Sequence, residues 1–160
     1  MEFRIHEADL ADARDAGAVV DILNSYASDP KGGGQPLPAD VKDRLIGMLR
    51  EHPTTLVLLA AAEGKPVGVA VCFFGMSTFK ARPLVNIHDL AVLPGYRGCG
   101  VGRALLGAVE EHARRRGCCK LTLEVQDDNA PARTLYQRFG FDDVVYGDSA
   151  ATRFLAKPLQ

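Results

Sequence analysis

The chain has 160 residues, of which 47% are hydrophobic and 24% charged, with a formal net charge of -1. This length and composition predict one soluble globular domain over residues 1–160, and they give no indication of a nucleic acid partner. The N-terminus has no basic segment followed by an apolar one, and no stretch approaches a membrane span, so we expect a cytoplasmic protein.

The first third of the chain predicts a strand followed by two helices. Apolar and polar residues alternate over Phe3 to His6, which indicates a strand, and Asp9 or Asp12 can cap the helix that follows. Glycine and proline mark residues 28–38 as a loop, and apolar residues at helical spacing predict a second helix over 39–52.

The middle of the chain predicts a hairpin and a strand–helix–strand unit. Residues 63–65 form a turn between two apolar runs, and 77–83 is expected to be a loop. The almost wholly apolar segment 84–92 predicts a strand buried on both faces. A helix over 100–116 and a strand over 120–125 then complete a parallel crossover.

The C-terminal part predicts one more helix and two strands. Asp128 or Asn129 can cap the helix, with Pro131 in its first turn, and the strands are expected near 142–146 and 152–156. The predicted fold class is therefore α/β of the mixed α+β kind, with a mostly antiparallel sheet of six to seven strands and about four helices.

Glycines alternate with other residues immediately before the predicted third helix. A helix N-terminus leaves backbone amides unpaired, and Gly98, Gly100 and Gly102 would let an anion approach them, with Arg97 and Arg103 adding charge. A tight turn without a ligand explains the glycines equally well.

Known nucleotide-binding loops do not fit this stretch well. A P-loop requires Lys followed by Ser or Thr, but Arg103 and Ala104 stand at these positions. A dinucleotide-binding loop follows the first strand of its domain, whereas this loop follows about the fourth, although Glu124 lies at a suitable distance downstream.

The segment from Arg97 to Gly102 resembles motif A of the Gcn5-related N-acetyltransferases (GNAT), in which Arg or Gln precedes two spaced glycines. The strand "HDLAV" and the later "NAPARTLYQRFGF" match other blocks of that family in order and spacing, so the resemblance covers residues 84–141. The layout is most similar to the diamine and polyamine acetyltransferase branch, and the resemblance implies a GNAT-like fold.

The resemblance also implies acetyl-CoA as the co-substrate, with no metal. The loop amides would bind the pyrophosphate, the backbone of residues 90–92 would pair with the pantetheine arm, and Asn129 would bond to the same arm. The implied cofactor-binding residues are Leu90, Ala91, Val92, Arg97, Gly98, Cys99, Gly100, Val101, Gly102, Arg103, Asn129, Pro131, Ala132 and Tyr136. Members of this family are often homodimers.

Catalysis in such a protein needs an acid for the leaving thiolate and a base for the amine. Tyr136 matches the family's acid, although its surroundings also fit a core tyrosine. Strand alternation predicts that His88 shares a face with Asn86 and Leu90 while Asp89 lies opposite. His88, Asp89 or a water molecule can be the base, and a core histidine is the alternative reading of His88.

The resemblance places the acceptor beside the segment between the first two helices. Its predicted contacts are Tyr26, Asp29, Phe74, Phe79 and His88, and the predicted acceptor is a primary amine of a small molecule: a polyamine or diamine, an arylalkylamine or an amino-acid-like amine. The alternatives are a protein N-terminus or lysine as acceptor, a non-catalytic module that binds acetyl-CoA, and a nucleotide-binding protein.

Overall fold

A computed structural model describes residues 2–144 and 152–159. They belong to two compact units that divide between Gln126 and Asp127, and each unit is described by itself. The single domain over 1–160 stays a prediction. Within the described residues, every helix is too short or too polar to cross a membrane.

The first unit contains one five-stranded sheet. Its order is β1-β2-β3-β4-β5, with antiparallel pairing from β1 to β4 and parallel pairing between β4 and β5. The strands are β1 (Phe3–Glu7), β2 (Thr55–Ala62), β3 (Lys65–Ser77), β4 (Arg82–Val92) and β5 (Leu121–Leu123). The predicted mixed, mostly antiparallel sheet is confirmed, and so is the parallel crossover.

Three helices of this unit cover the sheet. They are α1 (Ala13–Ser28), α2 (Ala39–Glu51) and α3 (Val101–Arg115). Of the two predicted caps, Asp12 is the one used, because its carboxylate accepts the amides of Arg14 and Asp15 at 3.0 Å.

The helices pack on opposite faces of the sheet. Val69 and Val71 of β3 belong to a core cluster that also contains residues of α1 and α2. Gly68 faces the other way, because a Cβ built on it would lie 2.9 Å from a side-chain carbon of Val101 in α3. We call these the α1/α2 face and the α3 face.

Two antiparallel hairpins join β2, β3 and β4. The first turn places Glu63 and Gly64 at positive φ, which suits a two-residue hairpin turn, and confirms the predicted turn. The loop expected over 77–83 is shorter than predicted, since β3 extends to Ser77 and β4 begins at Arg82. Pro83 does not prevent this, because a proline near the start of a strand costs little pairing.

The described part of the second unit contains one helix, α4 (Ala130–Phe139), which ends at Gly140 with φ 104°. The strands expected over 142–146 and 152–156 are not formed by residues 142–144 or 152–156, while residues 145 and 146 lie outside the described residues. Strand pairing needs a partner as well as an alternating pattern, and Phe154 and Leu155 are largely exposed. The described sheet accordingly has five strands instead of six or seven.

Candidate active site

An irregularity in β4 lies at the centre of the predicted site. Val71 of β3 pairs with Asp89, but the next residue, Cys72, pairs with Ile87, so His88 is one residue in excess on β4. Such a β-bulge changes which side chains point to which face of the sheet.

The bulge brings His88 and Asp89 to the same face. The His88 ring contacts the Phe73 ring at a centroid distance of 5.6 Å, and Phe73 packs on the core of the α1/α2 face. Asp89 pairs with Val71 of that same core, whereas Leu90 pairs with Ala70, which faces α3. The prediction that His88 shares a face with Leu90 and lies opposite Asp89 is therefore wrong.

The strand is also less buried than its apolar sequence predicts. Val85, Ile87 and Ala91 are buried, but His88 is exposed and Asp89 is half-buried. The prediction of burial on both faces is wrong because α1 and α2 leave this part of the α1/α2 face open, which suits a binding site.

The charge of Asp89 acts on Tyr26 of α1. Burial raises the pKa of the Asp89 carboxyl, and neighbouring His88 opposes that rise. Burial, followed by the charges of Asp89 and Asp29, raises the pKa of the Tyr26 phenol, while Arg97 opposes the rise. Five of the predicted site residues thus lie within one electrostatic neighbourhood.

Asp29 and Arg97 form an ion pair between the end of α1 and the start of the glycine-rich loop. Arg97 Nη1 donates to Asp29 Oδ2 at 2.9 Å, and Arg97 Nε donates to the Val92 carbonyl at 3.0 Å. The other carboxylate oxygen of Asp29 accepts the Lys31 amide at 2.9 Å. The Lys31 amide and Arg97 together lower the pKa of Asp29. Asp29 was predicted to contact the acceptor, but both of its carboxylate oxygens already accept hydrogen bonds from groups of this chain.

The C-terminal half of β4 has a free edge on the side away from β3. Within residues 2–126, pairing with β5 ends at Ile87 and Leu123. The Leu93 amide donates to the Val67 carbonyl of β3 at 2.9 Å, so alternation turns the backbone groups of Leu90 and Val92 toward the free edge. The backbone of Ala91 faces β3, which excludes it from the predicted backbone pairing with pantetheine.

The glycine-rich loop leads from this edge to the N-terminus of α3. Gly98 and Gly100 have φ values of 74° and 94°, which glycine adopts without the strain of a side chain. Gly100 is the N-cap, no side chain caps the helix, and the first helical bond is from Ala104 to Gly100. The three amides before Ala104 have no acceptor in the helix, which fits an anionic group such as a pyrophosphate.

Two predicted acceptor contacts lie elsewhere. Phe74 lies on the α3 face, where the guanidinium carbon of Arg116 is 4.2 Å from its ring centroid. Phe79 is in the turn between β3 and β4 and is 92% exposed. Sequence reasoning chose Phe74 and missed Phe73, because adjacent phenylalanines can be assigned to faces only when the register of the strand is known.

The sequence analysis also missed His52, which follows α2. Its ring centroid lies 4.7 Å from that of Phe73, and its Nδ1 accepts the Thr54 amide at 3.3 Å. A lone histidine at the end of a helix gives no sequence signal that it will meet a residue of a distant strand.

The remaining predicted residues belong to the second unit. Asn129 caps α4 by accepting the Ala132 amide at 3.4 Å, and Pro131 lies in the first turn. The Tyr136 ring contacts that of Phe141 at 5.8 Å. The roles of these residues in cofactor binding and proton transfer stay predictions.

The fold and the sequence are those of an acetyltransferase. The model of the acetyltransferase (GNAT) family matches residues 19–141, a range that includes the β-bulge and the glycine-rich loop. The chain belongs to the GNAT family and is an N-acetyltransferase.

Similar proteins act on different acceptors. A thialysine N-epsilon-acetyltransferase of Bos taurus is 36% identical over 138 residues, which are 81% of this chain and 80% of that protein. A [ribosomal protein bS18]-alanine N-acetyltransferase of Haemophilus influenzae is 38% identical over 78 residues, 49% of each chain. An aminoglycoside acetyltransferase from an uncultured soil metagenomic sample, solved with sisomicin, has a TM-score of 0.73 at 17% identity and covers 92% of this chain and 95% of its own. That last likeness concerns the fold alone.

Proposed function

We propose that this N-acetyltransferase moves the acetyl group of acetyl-CoA directly to a primary amine of a small molecule, which can be a diamine, an arylalkylamine or an amino-acid-like amine. The observation that carries the proposal is the bulge, which sets an imidazole and a carboxylate beside the free edge of β4. An amine that reaches this edge meets groups able to take its proton.

The residues that would bind acetyl-CoA follow β4 in the chain. Its thioester supplies the activated acetyl group. Backbone groups of Leu90 and Val92 would pair with the pantetheine arm, and the amides at the start of α3 would bind the pyrophosphate. Arg97 lies between these two segments and has further guanidinium donors for the phosphates.

The proposed transfer moves three protons, two from the acceptor nitrogen and one to the sulfur of CoA, and forms no covalent enzyme intermediate. His88 takes a proton from the acceptor ammonium, and the neighbouring Asp89 carboxylate stabilises the imidazolium that forms. The neutral amine then attacks the thioester carbonyl, whose developing negative charge the backbone amide of Leu90 or Val92 can stabilise. As the carbon–sulfur bond breaks, Tyr136 gives its phenolic proton to the thiolate of CoA. The acceptor nitrogen, which became cationic on attack, loses its second proton to solvent, and the Tyr136 phenolate regains a proton from solvent.

An amine panel tests this proposal. Polyamines, arylalkylamines, amino acids and aminoglycosides are supplied with acetyl-CoA, and the free thiol of CoA is measured over time. Turnover with at least one of these amines is the expected result. Turnover only with a peptide that offers an N-terminus or a lysine would overturn the proposal.

The second candidate function is acetylation of a protein N-terminus. The relative from Haemophilus influenzae, whose name records a ribosomal protein as its substrate, favours including this candidate. A peptide series with free and blocked N-termini, run beside the amine panel, separates the two functions, and release of CoA without any acceptor would indicate hydrolysis instead.

A further inference from the structure

Three aromatic rings form a row on the α1/α2 face of the sheet. His52 lies 4.7 Å from Phe73 with an interplanar angle of 61°, and Phe73 lies 5.6 Å from His88 at 68°. Both histidines are exposed and Phe73 is half-buried, so a ligand has access to this aromatic row. The row joins the bulge of β4 to the C-terminal end of α2.

At its His52 end, the aromatic row borders a cavity and not the packed core. His52 also lines a cavity of about 310 Å³ between the end of α2, the start of β2 and the segment 7–11. Leu10, Leu49 and Val57 form apolar walls of this cavity, and Glu7, Asp9 and Arg50 form charged ones. A group that follows the row from His88 therefore has room beyond Phe73.

The charges beside the row limit the number of cationic groups that it can bind. Asp89 adjoins His88 and makes no ion pair with any residue in the described part of the chain. Asp29, the other acidic residue predicted for the site, is already paired with Arg97. Beside His88 the site offers one carboxylate, that of Asp89, for one ammonium group. At the Phe73 position it offers a phenyl ring with an imidazole on either side instead of a second carboxylate.

We propose that Phe73 determines acceptor specificity and that the preferred acceptor is a monoamine with an aromatic ring on a short aliphatic chain. The amino group lies at His88 and Asp89, and the aromatic ring of the acceptor packs against Phe73, since ring pairs at this spacing attract each other beyond their area burial. The inference rests on the proposed function and narrows it to one class of amine.

The test compares two amines on two variants. Phenethylamine and hexylamine carry the same charge but differ in the ring, and kcat/KM is measured for both with the wild type, Phe73→Leu and Phe74→Leu. Phe74 is the matched control, because it is the adjacent phenylalanine on the α3 face, in contact with Arg116. For each variant, the ratio of kcat/KM for the two substrates does not depend on the fraction of enzyme that is folded.

The wild type is expected to favour phenethylamine over both hexylamine and the diamine putrescine. Phe73→Leu should lower the phenethylamine-to-hexylamine ratio by about three- to tenfold, the size of an aromatic pair contribution, while Phe74→Leu leaves the ratio unchanged. An equal loss in both variants, or a wild-type preference for putrescine, would overturn the inference and leave amine acetylation standing. Absence of turnover with every amine would overturn the proposed function as well.

Discussion

At the scale of single residues, the proposed site depends on two neighbours that a regular strand would place on opposite faces. His88 is exposed and in contact with Phe73, while Asp89 is half-buried and close to Tyr26. The exposed imidazole can exchange its proton with solvent, and the half-buried carboxyl resists ionisation. The tasks that we propose for these two consecutive residues differ because their surroundings differ.

The proposed role of His88 as the base predicts the pH profile of kcat/KM. In the wild type, kcat/KM should fall as the pH is lowered, because a protonated imidazole cannot take the proton of the acceptor. His88→Ala should lower kcat/KM near neutral pH by about 100-fold and flatten this acidic limb. His112→Ala, at the end of α3, is the control and should keep the limb. If His88→Ala lowers kcat/KM but leaves the acidic limb of its pH profile unchanged, the base is another group.

The raised pKa of Asp89 predicts a pH-dependent cost to stability. A carboxyl whose pKa is higher in the folded than in the unfolded state favours folding at acid pH, and this contribution is lost as the pH rises through the folded-state pKa. Asp89→Asn should therefore have a higher Tm than the wild type at pH 7. Below about pH 3.9, the ordinary pKa of Asp, the two Tm values should converge. A lower Tm for Asp89→Asn at pH 7 would contradict the assigned cause.

At the scale of elements, the close packing of β3 against α3 places the glycine-rich loop. A Cβ at Gly68 would lie 2.9 Å from Val101 Cγ1 and 3.2 Å from the Ala91 carbonyl oxygen. Val101 is the first residue of α3 and only 1% exposed. The start of the helix, which carries the predicted pyrophosphate amides, therefore rests on a residue without a side chain.

This packing predicts opposite effects for two glycine substitutions. Gly68→Ala should lower the free energy of unfolding by about 1–3 kcal/mol, because the added methyl group meets a closely packed core, and should raise the KM for acetyl-CoA. Gly107→Ala, within α3 and with open space around its Cβ position, should be neutral or stabilise by up to about 1 kcal/mol. Urea denaturation and steady-state kinetics check both changes, and an unaffected Gly68→Ala protein would contradict the close contact.

At the scale of the whole molecule, binding of the co-substrate should appear as added stability. Acetyl-CoA at about 100 times its dissociation constant should stabilise the folded chain by about 2.7 kcal/mol and raise Tm by about 5–10 °C. ATP and NAD should leave Tm unchanged at equal concentration. A larger shift with a nucleotide than with acetyl-CoA would instead favour the nucleotide-binding alternative.

The sequence by itself determined the order of the helices and strands of the first unit, the turn at Glu63 and Gly64, and the glycine-rich start of α3, because these follow from local propensity and spacing. It also carried the family resemblance that the match over residues 19–141 confirms. A local sequence pattern does not show whether a strand finds a partner to pair with. Two C-terminal strands were therefore predicted, but residues 142–144 and 152–156 form no strand.

Only the tertiary structure decided which side chains meet. The bulge is a property of the register between β3 and β4. Because of it, Asp89 lies on the α1/α2 face together with His88, and Leu90 lies on the α3 face. The same register separates Phe73 from Phe74, and the fold brings His52 and Arg97 to partners far away in the sequence. The sequence of a strand predicts only that neighbouring side chains alternate between its two faces. A one-residue offset in the pairing of two strands decides which side chains meet at the proposed site, and that offset is a property of the pair of strands.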